Sequence, residues 1–424
     1  MVYMSKRVVN VIQQRKRAGL LIGLCFLTYA CSYIGRLNYS AALTELIAGG
    51  ILTKAQGGMI STVYFGAYGA GQMVNGMLAD RHNPVRQVAL GVGGSAGLNL
   101  LFAHCSTYGG MLVVWGLNGY FQSLIWAPAF LLLSQYLDRQ FRPRAMLLIN
   151  TAPSLGTIMA YLFSSLVLWK LPWKCLFVGA ALMLFACAAL WMAGCRSAFR
   201  DAVPESETEP GWQPVRNTVD LDKSTFRKTF LLCGAGMLVL PAMIHGMLKD
   251  GVTSWVPTYM TEMFHMPPQA AVAITIVLPV INTMGAAGAY LLMRRIPNET
   301  TAVGTLFLCA GTCLLFLQLL GTTSAVISVL LLAVVTAAMM GVNVILCSEV
   351  PLRFSLLGKS ATVSGFFNAC GYIGAAASMY GIAVLSERWG WTATQLVWIA
   401  SCGVAAGLSL MIANRWMDFR RKKW

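Results

Sequence analysis

The chain has 424 residues, of which 57% are hydrophobic and 11% charged, against roughly 25% charged in an ordinary soluble domain. That balance excludes a water-soluble globular protein, because so few charged groups cannot cover the cores of a chain this long. The formal charge of +16, from 31 Lys and Arg against 15 Asp and Glu, invites an acidic partner. Yet the basic residues sit in short clusters between long apolar runs, a pattern that reports membrane orientation and not nucleic acid.

In chain order, the polar and basic segment 1–17 is followed by an apolar run that continues past Tyr39 without a small-residue cleavage site. It reads as a first transmembrane helix, not a removed signal peptide. A span needs about 20 predominantly apolar residues. Such runs lie near 18–40, 56–79, 87–107, 109–136, 144–168 and 174–195, and again near 230–260, 270–293, 301–321, 323–347, 360–385 and 392–413. The long polar stretch 196–228, rich in Pro and acid, separates the two sets and reads as a partly disordered linker. The expected architecture is an all-α membrane protein of twelve transmembrane helices in two pseudo-symmetric six-helix halves, 1–195 and 229–424. A cytoplasmic linker, 196–228, joins them, and the second half ends in a basic cytoplasmic tail.

Sorting the 31 basic residues by loop tests this layout independently of hydropathy. With the N-terminus inside, 25 fall in inner loops and tails, and only Lys54, Lys170, Lys174 and Arg388 fall outside. Such asymmetry predicts a multi-pass protein of the cytoplasmic membrane with both termini cytoplasmic, the inner clusters meeting the anionic inner leaflet. Two cations remain, Arg36 and Lys249, and both lie inside predicted helices. The 12 cysteines lie almost all in apolar runs without a CxxC pair, so they read as small core residues, with no metal site, disulfide or cofactor expected. A monomer is the expectation for this architecture.

The two sets of helices echo each other. Gly76 recurs as Gly288, Arg144 and Gly156 as Lys359 and Gly371, and Trp173 as Trp391, at offsets of 212 to 218 residues. Lys249 follows Arg36 at 213, so the two intramembrane cations occupy matching places on the first and seventh helices.

Between the second and third helices, Gly76, Asp80, Arg81, His82, Asn83, Pro84 and Arg86 form a loop that resembles the signature of the major facilitator superfamily. The resemblance implies a gate on the inner side resting on Asp80, Arg81 and Arg86; the second copy has Leu292 in place of the Asp. Three more segments carry a narrower likeness. They are Tyr33, Arg36, Asn38 and Tyr39 on helix 1, Asn118, Tyr120, Gln122, Trp126 and Pro128 on helix 4, and Lys249, Asp250, Trp255, Pro257 and Tyr259 on helix 7. In order and spacing they resemble the organophosphate:phosphate antiporters, which include glycerol-3-phosphate and hexose-phosphate transporters. The resemblance implies that Arg36 binds phosphate and that a second binding Arg is represented by Lys249. The sequence departs from that pattern where Gln72 takes the place of a Lys after Tyr68, and where Asn150 stands for a His on helix 5.

Physics points to the same two cations. A charge at mid-membrane costs about 2.5 to 3.5 kcal/mol, so such residues face a cavity, a partner or a substrate. Arg presents a planar fork suited to two phosphate oxygens, whereas Lys is a movable point charge. Around them Tyr33, Tyr39, Tyr64, Tyr68, Trp126, Asn368 and Tyr372 offer hydroxyls, an amide and ring faces, and His245 lies one helical turn before Lys249. An ion pair of Arg36 with Asp250 or Glu349 is the bland alternative; Asp250 beside Lys249 is expected to point to another helix face.

The expected function is alternating-access transport of a small organic anion, a phosphate ester exchanged for inorganic phosphate. A proton-coupled organic anion symporter and a transporter-like sensor of sugar phosphates stay open beside it. Catalytic spacings for an enzyme are absent: the sequence shows neither HExxH nor a Ser, His, Asp set.

Overall fold

The computed structural model describes residues 10–79, 83–200, 203–204, 229–321, 323–354 and 359–421. Twelve helical rods run through them. The first is Arg15–Ser32 continued as Ile34–Ala48, followed by Lys54–Ala79, Pro84–His104, Tyr108–Gln135, Arg142–Ile149 with Ala152–Lys170, and Trp173–Ala198. The seventh runs from Ala235 to Phe264 in four pieces. Pro268–Ile274 with Val277–Arg295, Glu299–Leu320, and Ala325–Val344 extended to Leu352 come next. The last two form one helical run, Ser360–Met411, broken at Gly390, where a φ of 78° reverses the chain at a residue free of Cβ strain.

Side-chain caps fix several starts. Asn83 accepts from the backbone N–H groups of Val85 and Arg86, with Pro84 in the first turn. Thr107 and Asn298 cap the fourth and ninth rods in the same way. By length and hydropathy, seven helical stretches qualify as membrane spans, and one of these, Thr362–Arg421, contains two rods. The second, third, fourth and seventh rods are not among them; the seventh is divided into short pieces, and the other three carry polar residues that bond to other helices. Asn38 donates to Asn99 (2.7 Å), Ser95 to Asn118 (2.6 Å), and Asn75 to Ser123 (2.7 Å). Buried amides paired in this way cost little.

The internal repeat is visible in the packing, with one expected anchor not serving as such and another, Gly156 with Gly371, in matching close contacts. Gly288 meets open space, so it makes no close helix approach. The matched pair is Gly71, against Ser123, and Gly285, against the Ala337 backbone, each glycine and each partner 214 residues from its counterpart. Likewise Gly156 lies against Ala30 and Tyr33, and Gly371 against His245 and Gly246. A methyl group on Gly246 would come within 1.9 Å of the Gly371 carbonyl oxygen, which is why the seventh and eleventh rods can touch backbone to backbone.

Both chain ends of the bundle lie on one side, here the terminal side. There Asn10–Val11 pairs with Val203–Pro204; the rest of the linker, 205–228, lies outside the described residues. On the same side Glu299, fully buried, receives Arg353 (Nη2, 2.7 Å), Arg420 (Nη1, 3.3 Å) and the Trp416 indole N–H (2.8 Å). Arg420 also donates to the Pro297 carbonyl. The cluster ties the ninth and tenth rods to the final helix, Ala413–Arg421.

Candidate functional site

The first rod is broken at Tyr33, and the break decides where Arg36 sits. The Arg36 N–H reaches back only to Tyr33 O, leaving the Ser32 carbonyl for a side chain. Gln122 donates to Ser32 O (3.0 Å) and to Ser95 Oγ (2.8 Å), while Asn118 (2.9 Å) and Asn99 (3.2 Å) donate to Gly35 O. Two amides of the fourth rod and one of the third therefore clamp the broken helix on either side of Arg36. The likeness at Asn118 and Gln122 was legible in the sequence; their task as a clamp on carbonyls was not.

Arg36 projects among aromatic rings. Its guanidinium carbon lies 4.9 Å from the ring centre of Tyr68, 5.2 Å from Phe65, 5.4 Å from Tyr33 and 5.9 Å from Tyr64, distances at which ring faces stabilise a cation. Tyr372, from the eleventh rod, meets Tyr68 edge-on at 5.0 Å. Among the described residues Arg36 makes no ion pair, so pairing with Asp250 or Glu349 is not what holds it. Arg36 Nε and the Tyr64 hydroxyl are buried without a hydrogen-bond partner among the described residues. Two buried polar groups beside these rings are thus left without a partner among the described residues.

Lys249 stands at the matching place on the seventh rod. There the helix widens into a π turn, Met247–Gly251, one position along the 213-residue offset from the break at Tyr33. π turns interrupt helices at functional sites, and discontinuous helices build midplane sites in transporters made from repeats. The turn also corrects an expectation: Lys249 Nζ lies 3.4 Å from Asp250 Oδ2. Neighbours leave the helix on different faces, and the long, flexible Lys side chain spans that difference. The hydroxyls of Tyr33, Tyr64 and Tyr372 lie within electrostatic reach of both Arg36 and Asp250, which brings the two helices' charges to one region.

The remaining candidates divide. Tyr33, Tyr64, Tyr68 and Tyr372 join Arg36. Tyr39 does not: its hydroxyl donates to Gly57 O (3.0 Å) and its ring packs on Phe102 and Trp115, a packing role. Trp126 packs at a tilt against Tyr29, with ring centres 4.7 Å apart, and is not among the rings over Arg36. His245 is buried, with Nδ1 2.8 Å from Ala242 O; its Nε2 has no partner among the described residues. Asn150 donates to Met146 O within its own helix. Of the gate residues, Asp80 and Arg81 lie outside the described residues, and Arg86 is exposed.

A latch missed in the sequence closes the opposite end. Away from the termini, Lys54 of the second rod pairs with Glu262 of the seventh (2.5 Å), and the Trp391 indole donates to the same carboxylate oxygen (2.8 Å). Thr62 donates to Ala376 O (2.8 Å), Tyr161 to Thr253 O (3.0 Å) and Ser165 to Gln269 O (2.9 Å). Among the described residues, the hydrogen bonds that join the first six rods to the last six all lie toward this far end. Lys249 and Asp250 keep side-chain exposures of 25% and 19%.

Twelve spans, a repeat, and two cations on broken helices describe a membrane transporter. Residues 25–379 match the Major Facilitator Superfamily, and the chain belongs to that family; it is a secondary transporter and not an enzyme. Its relatives include the glycerol-3-phosphate transporter of Bacillus subtilis, 24% identical over 97% of this chain and 95% of that protein. The membrane sensor protein UhpC of Escherichia coli is 22% identical over 92% and 90%. UhpC of Salmonella typhimurium is 28% identical over 40% of this chain, a match that spans only 38% of that protein. Among solved structures, a bacterial homologue of the human lysosomal transporter Spinster superposes with a TM-score of 0.78 at 14% identity, over 97% of this chain and 100% of the other. The nucleoside transporter NupG gives 0.71 at 15%, over 94% and 100%; both carry the fold alone.

Proposed function

We propose that the protein carries a small organic anion across the cytoplasmic membrane by alternating access, and that the anion is a phosphate ester exchanged for inorganic phosphate. The observation that carries this reading is Arg36: a half-buried cation with a buried, unbonded Nε, ringed by tyrosines and without an acidic partner among the described residues. An unpaired charge inside the membrane is costly, and an anion bridging Arg36 and Lys249 removes that cost while drawing the two sets of helices together. The glycerol-3-phosphate transporter relative supports the phosphate ester. With both termini cytoplasmic, the arrangement is open inward, and Asp80, Arg81 and Arg86 latch the inner side in the opposite state.

The UhpC relatives favour a second reading, a sensor built on the same body. Vesicles loaded with inorganic phosphate and offered labelled glycerol phosphate, hexose phosphate and hexuronate separate the possibilities. Uptake of a phosphate ester that requires internal phosphate is the expected result. Binding without uptake supports the sensor, and uptake driven by an imposed pH gradient without internal phosphate supports proton symport.

A further inference from the structure

One turn before Lys249, His245 is 3% exposed, and binding of an anion by Arg36 and Lys249 gives it no task. Two contacts fix its ring. Nδ1 lies 2.8 Å from Ala242 O, and the ring edge rests on Gly371 of the eleventh rod, where a methyl group would come within 3.0 Å of His245 Cε1. Because a carbonyl oxygen only accepts, Nδ1 carries the proton of the first contact. A charged ring would set another cation beside Lys249 inside the membrane, which is costly; the neutral ring leaves Nε2 with a lone pair. The tenth rod brings the half-buried Asn343 beside this ring, and the Asn343 amide oxygen accepts from Cys347 Sγ (3.6 Å). Cys347 in turn lies near Lys249. No hydrogen bond reaches Nε2 among the described residues, so a buried acceptor stands unfilled in the same region as the second cation.

We propose that His245 is a specificity-determining residue: its Nε2 accepts a hydrogen bond from a hydroxyl on the carbon skeleton of the anion whose charged end lies on Arg36 and Lys249. This rests on the reading of Arg36 and Lys249 as anion-binding cations. The kind of group follows from charge. A lone pair repels the oxygens of a phosphate or carboxylate, so Nε2 is matched to a donor. Lys249, one turn away, disfavours an amine, which would bring a further positive charge. A neutral O–H is the donor that fits both neighbours. A ligand that carries the hydroxyl satisfies the buried acceptor and one that lacks it leaves the acceptor unpaired, so the bond separates a hydroxylated ester from a plain alkyl phosphate of similar size. The cations cannot make that distinction, because they bind what the two esters share, the charged group.

The test is competition against labelled inorganic phosphate on the purified full chain, with glycerol phosphate and propyl phosphate as competitors that differ only in hydroxyls. Wild type, H245Q, H245N and R36Q are compared. Gln places an amide oxygen where Nε2 lies, whereas Asn reaches the Ala242 carbonyl and falls short of the Nε2 position. Wild type is expected to prefer glycerol phosphate by roughly tenfold, H245Q to keep that preference, and H245N to lose it. In histidine-labelled wild type the nitrogen resonance of His245 Nε2, identified by its absence from H245Q, should shift with glycerol phosphate and stay in place with propyl phosphate, a readout independent of whether H245N folds. An absent wild-type preference, an H245N protein that keeps it, as a purely structural role would, its loss in H245Q, or an unmoved Nε2 resonance overturns the proposal and leaves the anion site standing. Phosphate binding that R36Q does not weaken, or no binding of phosphate by wild type, overturns the anion site and the proposal with it.

Discussion

Arg36 keeps its charge inside the bundle because rings solvate it and because the helix break beneath it is satisfied by amides from other rods. The tyrosines around it have separable roles. Removing the Tyr64 hydroxyl, a buried donor without a partner among the described residues, deletes a bond made only to ligand. Y64F is therefore expected to weaken phosphate binding roughly fivefold, for a net bond of about 1 kcal/mol, with thermal stability unchanged. Y39F should do the reverse. It loses the bond to Gly57 O and about 1 kcal/mol of stability, and leaves binding as it was. Paired melting and binding measurements on the two variants check both; matched losses of binding would place Tyr39 back at the site. Tyr39 and Tyr68 look alike in sequence, each an intramembrane tyrosine in a plausible position, and the folded chain tells them apart: the Tyr39 hydroxyl bonds to Gly57 O, whereas the Tyr68 ring lies 4.9 Å from the Arg36 guanidinium.

At the scale of elements, each cation follows an irregularity in its helix: a break at Tyr33 and a π turn at Met247–Gly251. The spans themselves were legible because apolar runs of membrane length have few alternative readings. The irregularities were not, since neither contains a proline at the break, and the break at Tyr33 is clamped by side chains from other rods. Q122L leaves the Ser32 carbonyl buried and unpaired, and is expected to cost about 1 to 3 kcal/mol of stability and to lower anion binding through the position of Arg36. Unchanged binding in a folded Q122L protein would show that the clamp does not position Arg36. Charge sorting, too, saw only part of what basic residues do. Arg353 and Arg420 count toward orientation, yet in the structure both serve Glu299. E299A removes the buried acceptor shared by two partly exposed cations and the Trp416 indole, and a loss of about 1 to 3 kcal/mol is expected, read as a lower melting temperature in detergent.

At the scale of the whole molecule, the bonds that cross between the first and last six rods gather at the far end, where Lys54, Glu262 and Trp391 meet. The sequence marked Lys54 only as an outer loop charge, because a latch joining residues 208 positions apart has no local signature. E262Q weakens that latch and should raise the population open to the far side. A cysteine placed at Thr258, which faces Thr44 across the closure, is then expected to react faster with an impermeant thiol reagent applied from that side. An unchanged rate would mean that the apolar closure, and not the ion pair, holds the end shut. The family, the twelve rods and the placement of one cation in each set followed from pattern and charge; the coupling of those cations to an acid and a latch required the folded chain. The central claim is that Arg36 holds the transported anion. Its most direct test is exchange of labelled inorganic phosphate across vesicles containing wild-type or R36Q protein at equal membrane content. Exchange by the wild type and none above background by R36Q is the predicted result, and equal exchange by the two proteins would contradict the account.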